Sequence, residues 1–187
     1  MKNKIRLTMT HIAAAVIVTV IMLLIYVSVQ QNYRMNANDP QIQLTQDISN
    51  RLASGRPIAG LIPADSFDIA YDLSPFVILY NAQGNPLHAS ATLNGSMPKL
   101  PAGVFDYVEK HGEDRITWQP KQGVRMAMVV KYANTYPVSF VAAGRSLKET
   151  EIREKNLAQM ALMAWICAMV VIGIHWLMDM KVFKAGY

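Results

Sequence analysis

Two long apolar runs bracket this chain and limit what it can fold into. The first covers residues 12–29 and the second covers residues 157–178. Each is close to the roughly 20 residues that an α-helix needs to cross the hydrocarbon core of a bilayer. The segment between them has the mixed composition of a domain that folds in water. We therefore expect two transmembrane helices that flank one compact domain.

The charges beside the two runs predict how the chain crosses the membrane. Lys2, Lys4 and Arg6 precede the first run, and Lys181 and Lys184 follow the second. Positive residues beside membrane helices are retained in the cytoplasm, so both termini should be cytoplasmic and the central domain extracytoplasmic. The first run exceeds the 7–15 apolar residues of a usual signal peptide, which favours an uncleaved anchor. The expected location is the cell membrane, crossed twice.

Four segments follow from this topology. They are a cytoplasmic N-terminus with the first transmembrane helix (1–33), an outer domain (34–145), a helix that continues into the second transmembrane helix (146–178) and a short cytoplasmic tail (179–187). The tail is too short for a kinase, cyclase or methyl-accepting region. We therefore expect any signal to leave through the helices or through a partner protein.

Composition argues against several classes of function. The net charge of +5 arises mostly beside the membrane runs, which indicates contact with anionic lipid and not with nucleic acid. The single cysteine, Cys167, lies in the second run, so the outer domain should be stabilised by its core without disulfides. The sequence has no catalytic signature, glycine-rich phosphate loop or His/Cys metal cluster. We expect no enzyme, no cofactor and no metal site.

The outer domain has the pattern of a mixed α+β domain. The sequence predicts helices from Asp39 to about Gly55 and over 101–110, and strands over 76–80, 87–93, 115–119, 124–132 and 138–143. This order predicts one antiparallel sheet with helices on one side.

A continuous helix is predicted to follow the last strand. Ser146 and Glu149 form a capping-box pattern, in which each side chain accepts a hydrogen bond from a free amide of the first turn. No helix-breaking residue occurs from there into the second apolar run, so residues 147–178 should form one helix. The last strand would then connect directly to a transmembrane helix.

Three segments carry a resemblance to a known family. They are 76–84 (FVILYNAQG), 116–125 (ITWQPKQGVR) and 143–147 (AGRSL). With the flanking runs, they resemble the PAS-like single-Cache (PDC) sensor domain in the input half of bacterial membrane sensor histidine kinases. The resemblance implies a domain that binds a small metabolite or ion between its sheet and the layer that covers it. The kinases continue into a catalytic transmitter, and this sequence does not.

Five residues of the outer domain are candidates for ligand binding: Tyr80, His88, Trp118, Arg125 and Tyr132. An arginine with aromatic neighbours suits a carboxylate, because guanidinium forms paired hydrogen bonds with it. The alternative is that the aromatic residues belong to the core or its rim and that Arg125 faces solvent. Strand alternation places Arg125 on the face opposite Met126 and Met128, and we expect the methionine face to be core. This counts against Arg125 as an inward ligand.

Two further sets of titratable residues have a spacing that suits a function. His11 and His175 should lie at similar depth near the cytoplasmic ends of the two helices, as metal or haem ligands, as a pH-responsive pair, or as ordinary interfacial histidines. Asp65, Asp68 and Asp72 recur in one loop and would suit a cation or simple solvation.

The sequence therefore favours a stand-alone membrane sensor or regulatory subunit. A small ligand would bind the outer domain, and the second transmembrane helix would signal to a membrane or cytoplasmic partner in trans. One alternative is a non-sensing accessory or structural envelope protein that uses the outer domain for protein contact. Another is the remnant of a truncated sensor kinase. Small residues in the second run, Ala161, Ala164, Ala168 and Gly173, leave a homodimer open.

Overall fold

The computed structural model describes residues 2–58, 60, 62 and 66–185 of the 187-residue chain. The chain forms two compact units. The helical unit contains Met1–Tyr33 and Ile152–Tyr187, and the outer unit contains Arg34–Glu151. In chain order the elements are α1 (Lys2–Asn36), α2 (Asp39–Ala53), β1 (Phe67–Asp68), β2 (Phe76–Tyr80), β3 (Pro86–Ala89), β4 (Ala91–Thr92), α3 (Ala102–His111), β5 (Glu113–Lys121), β6 (Val124–Tyr132), β7 (Phe140–Ser146) and α4 (Lys148–Ala185).

The helical unit consists of α1 and α4, and both helices are long and apolar enough to cross a membrane. Their most apolar stretches are not buried inside the protein. Contact between them includes a hydrogen bond of 2.9 Å from Trp165 Nε1 to Thr19 Oγ1. A groove of about 330 Å³ beside this bond is lined by both residues and by Ala161. The small side chain of Ala161 thus lies where α1 and α4 approach each other.

The outer unit is built around a five-stranded antiparallel sheet with the order β3-β2-β7-β6-β5. Every residue of β2 is buried, and so are most residues of β6 and β7. A short parallel pair, β1 with β4, lies outside this sheet. The α+β class with a single main antiparallel sheet is confirmed.

Both faces of the sheet are covered, and the expectation of helices on one side is wrong. Phe105 and Val108 of α3 pack in the same cluster as Ile78, whereas Ile48 and Leu52 of α2 pack in a second cluster. That second cluster contains the β2 residues that alternate with Ile78. Because successive strand residues point to opposite faces, α2 and α3 lie on opposite sides. The reason is visible in the central strands, which are apolar at consecutive positions and need cover on both faces.

Most predicted elements are present with small changes in their ends. The predicted bounds of β2 and β6 are confirmed, while β7 begins and ends later than predicted. The strand predicted over 87–93 is divided at Ser90, whose hydroxyl accepts a 2.9 Å hydrogen bond from the Val77 amide. The Ser90 hydroxyl thus takes the place of a backbone acceptor of the sheet where β3 ends.

The continuous helix after the last strand is confirmed as α4. Ser146 Oγ accepts a hydrogen bond of 3.3 Å from the Lys148 amide. The Glu149 carboxylate lies 3.5 Å from Arg145 Nη2. Ser146 thus bonds an amide of the first turn of α4, and Arg145 lies beside the Glu149 carboxylate.

Candidate functional site

The structure divides the five predicted ligand residues between the two faces of the sheet. Tyr80 and Trp118 belong to the core cluster on the α3 face, and Tyr132 packs against that cluster. His88 is paired with Leu79, which lies in the cluster on the α2 face. Arg125 alternates with Met126 and therefore also lies on the α2 side. The five residues do not line one cleft, and their role in binding stays a prediction.

An aromatic row crosses the α3 face of the sheet. Tyr80 and Tyr132 are both in register with Phe140 on the strand between them. The ring centroids of Tyr132 and Phe140 lie 5.5 Å apart, and Phe105 of α3 lies 5.0 Å from Phe140 and 4.9 Å from Tyr80. Such tilted ring pairs stabilise a core beyond the area they bury. The row has the character of core packing.

Tyr80 is the most deeply buried of the five residues. Its hydroxyl donates a hydrogen bond of 3.0 Å to the carbonyl of Pro98. Burial raises the pKa of Tyr80 well above its ordinary value, because the phenolate would lose its hydration. The side chain is therefore a neutral hydrogen-bond donor with a structural partner.

Arg125 takes part in the joint between the sheet and α4. Its Nη1 donates a hydrogen bond of 2.5 Å to Glu151 Oε1, and its backbone carbonyl accepts one of 2.9 Å from the Leu147 amide. Arg125 is the second residue of β6, and Glu151 lies in the first turn of α4. The Arg125 and Glu151 side chains keep 48% and 45% of their surface exposed, so a dissolved anion can reach the pair.

The acidic loop is tied to its own backbone. Asp68 accepts hydrogen bonds from the amides of Ala70, at 2.8 Å, and Asn94, at 3.0 Å. Asp72 accepts one of 2.7 Å from the Ser74 amide, and hydrogen bonds from Ser74 lower the pKa of Asp72. Asp65 lies outside the described residues. The two described carboxylates therefore act as turn-forming acceptors.

A cluster of three titratable residues joins the two helices of the helical unit. His11 of α1 places Nε2 3.0 Å from His175 Nδ1 and 3.4 Å from Asp179 Oδ2. His175 Nδ1 lies 3.3 Å from the same carboxylate oxygen. The imidazole rings are tilted by 36° with centroids 5.3 Å apart. The prediction that the two histidines lie at similar depth is thus consistent with their direct contact.

The haem alternative for the two histidines does not fit this geometry. Two axial nitrogens on opposite sides of an iron atom lie roughly 4 Å apart, twice a typical metal–nitrogen bond of about 2 Å. The facing nitrogens of His11 and His175 are closer than that, at 3.0 Å. A macrocycle has no room between them.

Sequence reasoning missed two residues of these arrangements. Asp179 follows His175 by four residues, one helical turn, but it lies just beyond the predicted end of the helix at residue 178. Glu151 had no comparable spacing, because its partner Arg125 is 26 residues away and the pairing depends on the path of β7.

Comparison with known proteins gives no relative from which a role could be transferred. No protein-family model, curated protein or solved structure matches this chain. The candidate function therefore rests on the chain's own residues and contacts.

Proposed function

We propose that this chain is a membrane-anchored sensor or regulatory subunit. Its outer unit binds a small ligand outside the cytoplasm, and α4 passes the change to a partner protein. The observation that carries the proposal is the joint at the start of α4, where Arg125 holds both the Leu147 amide and the Glu151 carboxylate. A change at β6 therefore acts directly on the first turn of a helix that is apolar enough to span a membrane.

Other features support the membrane setting and the sensor class. The two apolar helices, with basic residues at both ends of the chain, support a two-pass protein with cytoplasmic termini. The α+β outer unit with its antiparallel sheet is compatible with a Cache-like identity. The two-pass topology and the Cache-like identity are both parts of the proposal.

A carboxylate is the ligand class that the joint favours. Arg125 is half-exposed and already holds a carboxylate, that of Glu151. A ligand carboxylate would exchange with Glu151 for the guanidinium and so release the first turn of α4. Exposed ion pairs contribute only about 0.2–1 kcal/mol, so the exchange has a low cost. The ligand shifts α4 only by its difference in affinity between the two states.

A binding experiment with matched arginine variants tests this exchange. The full chain in lipid nanodiscs is screened by thermal shift against carboxylates, amino acids, amines and divalent ions. We expect a saturable shift from a carboxylate that Arg125→Gln abolishes and that Arg115→Gln leaves unchanged. Arg115 is the matched control, because it is 53% exposed and pairs with Glu113 at 2.8 Å.

Glu151→Gln should change the affinity for a carboxylate in the direction opposite to Arg125→Gln. Removing the competing carboxylate should strengthen carboxylate binding, by about two- to fivefold for an exposed pair. If no compound shifts the full chain, or if the shift survives Arg125→Gln, the proposed ligand class is wrong.

Transmission to α4 has its own readout at the single cysteine. Cys167 lies on α4 and is exposed, so a spin label can be placed there without other substitutions. We expect the ligand to change the spectrum of the label in the wild type and not in Arg125→Gln. A ligand that binds without any change at Cys167 would contradict signalling through α4.

The accessory-protein alternative is favoured by two exposed aromatic residues of the outer unit. Tyr136 is 98% exposed and Tyr71 is 83% exposed. Tyrosine is enriched where proteins contact each other. A photo-crosslinking residue at position 136 in living cells should capture a specific envelope protein if this alternative is correct, and no protein if the outer unit binds only small molecules.

A further inference from the structure

We propose that His11, His175 and Asp179 bind one divalent transition-metal ion that links α1 to α4. This site lies in the helical unit and is independent of ligand binding by the outer unit. Its three donor atoms come from two helices and lie within 3.4 Å of one another.

The spacing of the three donor atoms matches a metal coordination sphere. Metal bonds of 2.0–2.1 Å in a tetrahedral site place neighbouring ligand atoms about 3.3 Å apart. The observed separations are 3.0, 3.3 and 3.4 Å. The centre of this triangle is roughly 1.9 Å from each atom, so an ion slightly out of the plane reaches all three at ordinary bond lengths. No movement of the helices is needed.

A second observation orients one ligand for metal binding. The Nδ1 of His11 lies 2.8 Å from the backbone carbonyl of Leu7. A carbonyl oxygen only accepts, so Nδ1 carries the proton and the neutral ring presents a lone pair at Nε2. Metal-binding histidines usually donate their other ring N–H in this way, which fixes the ring and its tautomer. The lone pair of His11 is the one that faces His175 and Asp179.

The donor set indicates the class of metal. Two imidazole nitrogens and one carboxylate suit Zn²⁺, Fe²⁺ or Co²⁺, whereas Ca²⁺ and Mg²⁺ prefer oxygen ligands throughout. Three protein ligands leave at least one coordination position for water or another molecule. A groove of about 450 Å³, lined by the three residues and by small or apolar side chains such as Ala14 and Val171, adjoins the cluster.

The rival interpretation is a hydrogen-bonded triad without metal. In that case His175 Nδ1 carries a proton and donates it to His11 Nε2 or to the Asp179 carboxylate. A bound metal instead requires the lone pair of His175 at Nδ1. The two interpretations therefore differ in whether added metal displaces this proton and binds in a one-to-one ratio.

The test uses the full chain in nanodiscs of neutral lipid, stripped with a chelator and titrated with Zn²⁺ by calorimetry. Wild type should bind one ion per chain. His11→Ala and Asp179→Asn should each weaken binding at least about 100-fold, because loss of a mere supporting residue commonly costs 10–100-fold. His111→Ala is the matched control and should bind as wild type does, since His111 is exposed in the outer unit and its Nδ1 lies 2.9 Å from the Tyr107 carbonyl.

Co²⁺ supplies a readout that does not depend on variants. Its visible absorption on the wild type should show nitrogen and oxygen coordination with fewer than six ligands, and Zn²⁺ should abolish that signal. A wild type that binds no ion, or binding that His111→Ala removes as completely as Asp179→Asn, would overturn the site and leave the hydrogen-bonded triad.

Discussion

The two units of this protein treat apolar side chains in opposite ways. In the outer unit, Ile78 and Leu79 have no exposed surface, whereas Leu24 and Met163 of the helical unit are 63% and 66% exposed. The removal of apolar surface from water stabilises the first arrangement. The second arrangement suits a lipid solvent, in which apolar contact between helices brings no hydrophobic gain. A few polar contacts and small residues must then determine how α1 and α4 associate.

Polar side chains follow the same division. In the outer unit the buried hydroxyls of Tyr80 and Ser90 bond to nearby backbone and complete the packing of the core. In the helical unit, Trp165 donates a hydrogen bond to Thr19 and the facing nitrogens of His11 and His175 lie 3.0 Å apart, and both contacts join one helix to the other. Polar contacts thus complete a core in one unit and connect two helices in the other.

The largest expected effect compares two isoleucines. Ile78→Ala removes a fully buried side chain and should lower the free energy of unfolding of the outer unit by about 2–5 kcal/mol. Ile17→Ala, at a position 57% exposed on α1, should change it by less than about 0.5 kcal/mol. Denaturant unfolding of the full chain in nanodiscs measures both. If both variants lost the same free energy of unfolding, the two isoleucines would not differ in burial as described.

Two glycines provide the next comparison. A Cβ added at Gly144 would collide with Met128 Sδ and with the ring of Phe76, both in the core. Gly144→Ala should therefore destabilise the outer unit by about 1–3 kcal/mol, as overpacking does. At Gly173 an added Cβ meets none of the described atoms within 4 Å, so Gly173→Ala should be neutral. Thermal unfolding by circular dichroism distinguishes the two, and a neutral Gly144→Ala would show that this core is loosely packed.

A pair of tyrosines isolates one buried hydrogen bond. Tyr80→Phe removes the donor to the Pro98 carbonyl and leaves that acceptor unpaired, which should cost about 1–2 kcal/mol. Tyr136→Phe, at a position 98% exposed, should cost nothing measurable. Urea unfolding at neutral pH compares them.

Alkaline pH should act through the same buried hydroxyl. Burial raises the pKa of Tyr80 from its ordinary value of 10.0, so the folded state holds the proton more tightly than the unfolded state. Below pH 10 both states are protonated and the group adds no pH dependence. Above pH 10 the unfolded state loses its proton first and stability falls. Stability curves from pH 8 to 11 should fall more steeply for wild type than for Tyr80→Phe; parallel curves would contradict the shift.

The smallest expected effect lies in the helical unit. Thr19→Val or Trp165→Phe removes the hydrogen bond that joins α1 to α4. Such bonds between membrane helices contribute about 0.6 kcal/mol on average. A double-mutant cycle, read by steric trapping of the helix pair in bilayers, should give a coupling energy of this size. A coupling of zero would show that the bond does not determine helix pairing.

The sequence predicted elements well where a pattern is local. The apolar runs of β2 and β6 predicted their bounds. The residues Ile42, Thr45, Ile48 and Leu52 recur at helical spacing and predict the inner face of α2; Thr45, Ile48 and Leu52 are buried, whereas Ile42 is half-buried. Such a pattern indicates which face of a helix is buried, but it does not indicate which face of the sheet that helix covers. The placement of α2 opposite α3 could not be predicted for this reason.

The contacts of the candidate functional residues were harder to predict, because these contacts join segments that are distant in sequence. Arg125 was identified as an anion-binding candidate, but its partner Glu151 depends on how β7 delivers the chain to α4. His11 and His175 were expected at similar depth from topology alone, whereas Asp179 completes the cluster only because α1 and α4 are in contact there. Depth follows from counting residues along a helix, but lateral contact does not.

The edges of the main sheet have a consequence for crowding. Its outer strands are β3, which has four residues and begins with Pro86, and β5, which carries Glu113, Arg115 and Pro120. Short, charged or proline-containing edges resist pairing with strands of another molecule. In the proposed membrane setting, the chains would be confined to two dimensions and neighbouring outer units would collide often. These edges would let many copies accumulate in one membrane without joining their sheets into aggregates.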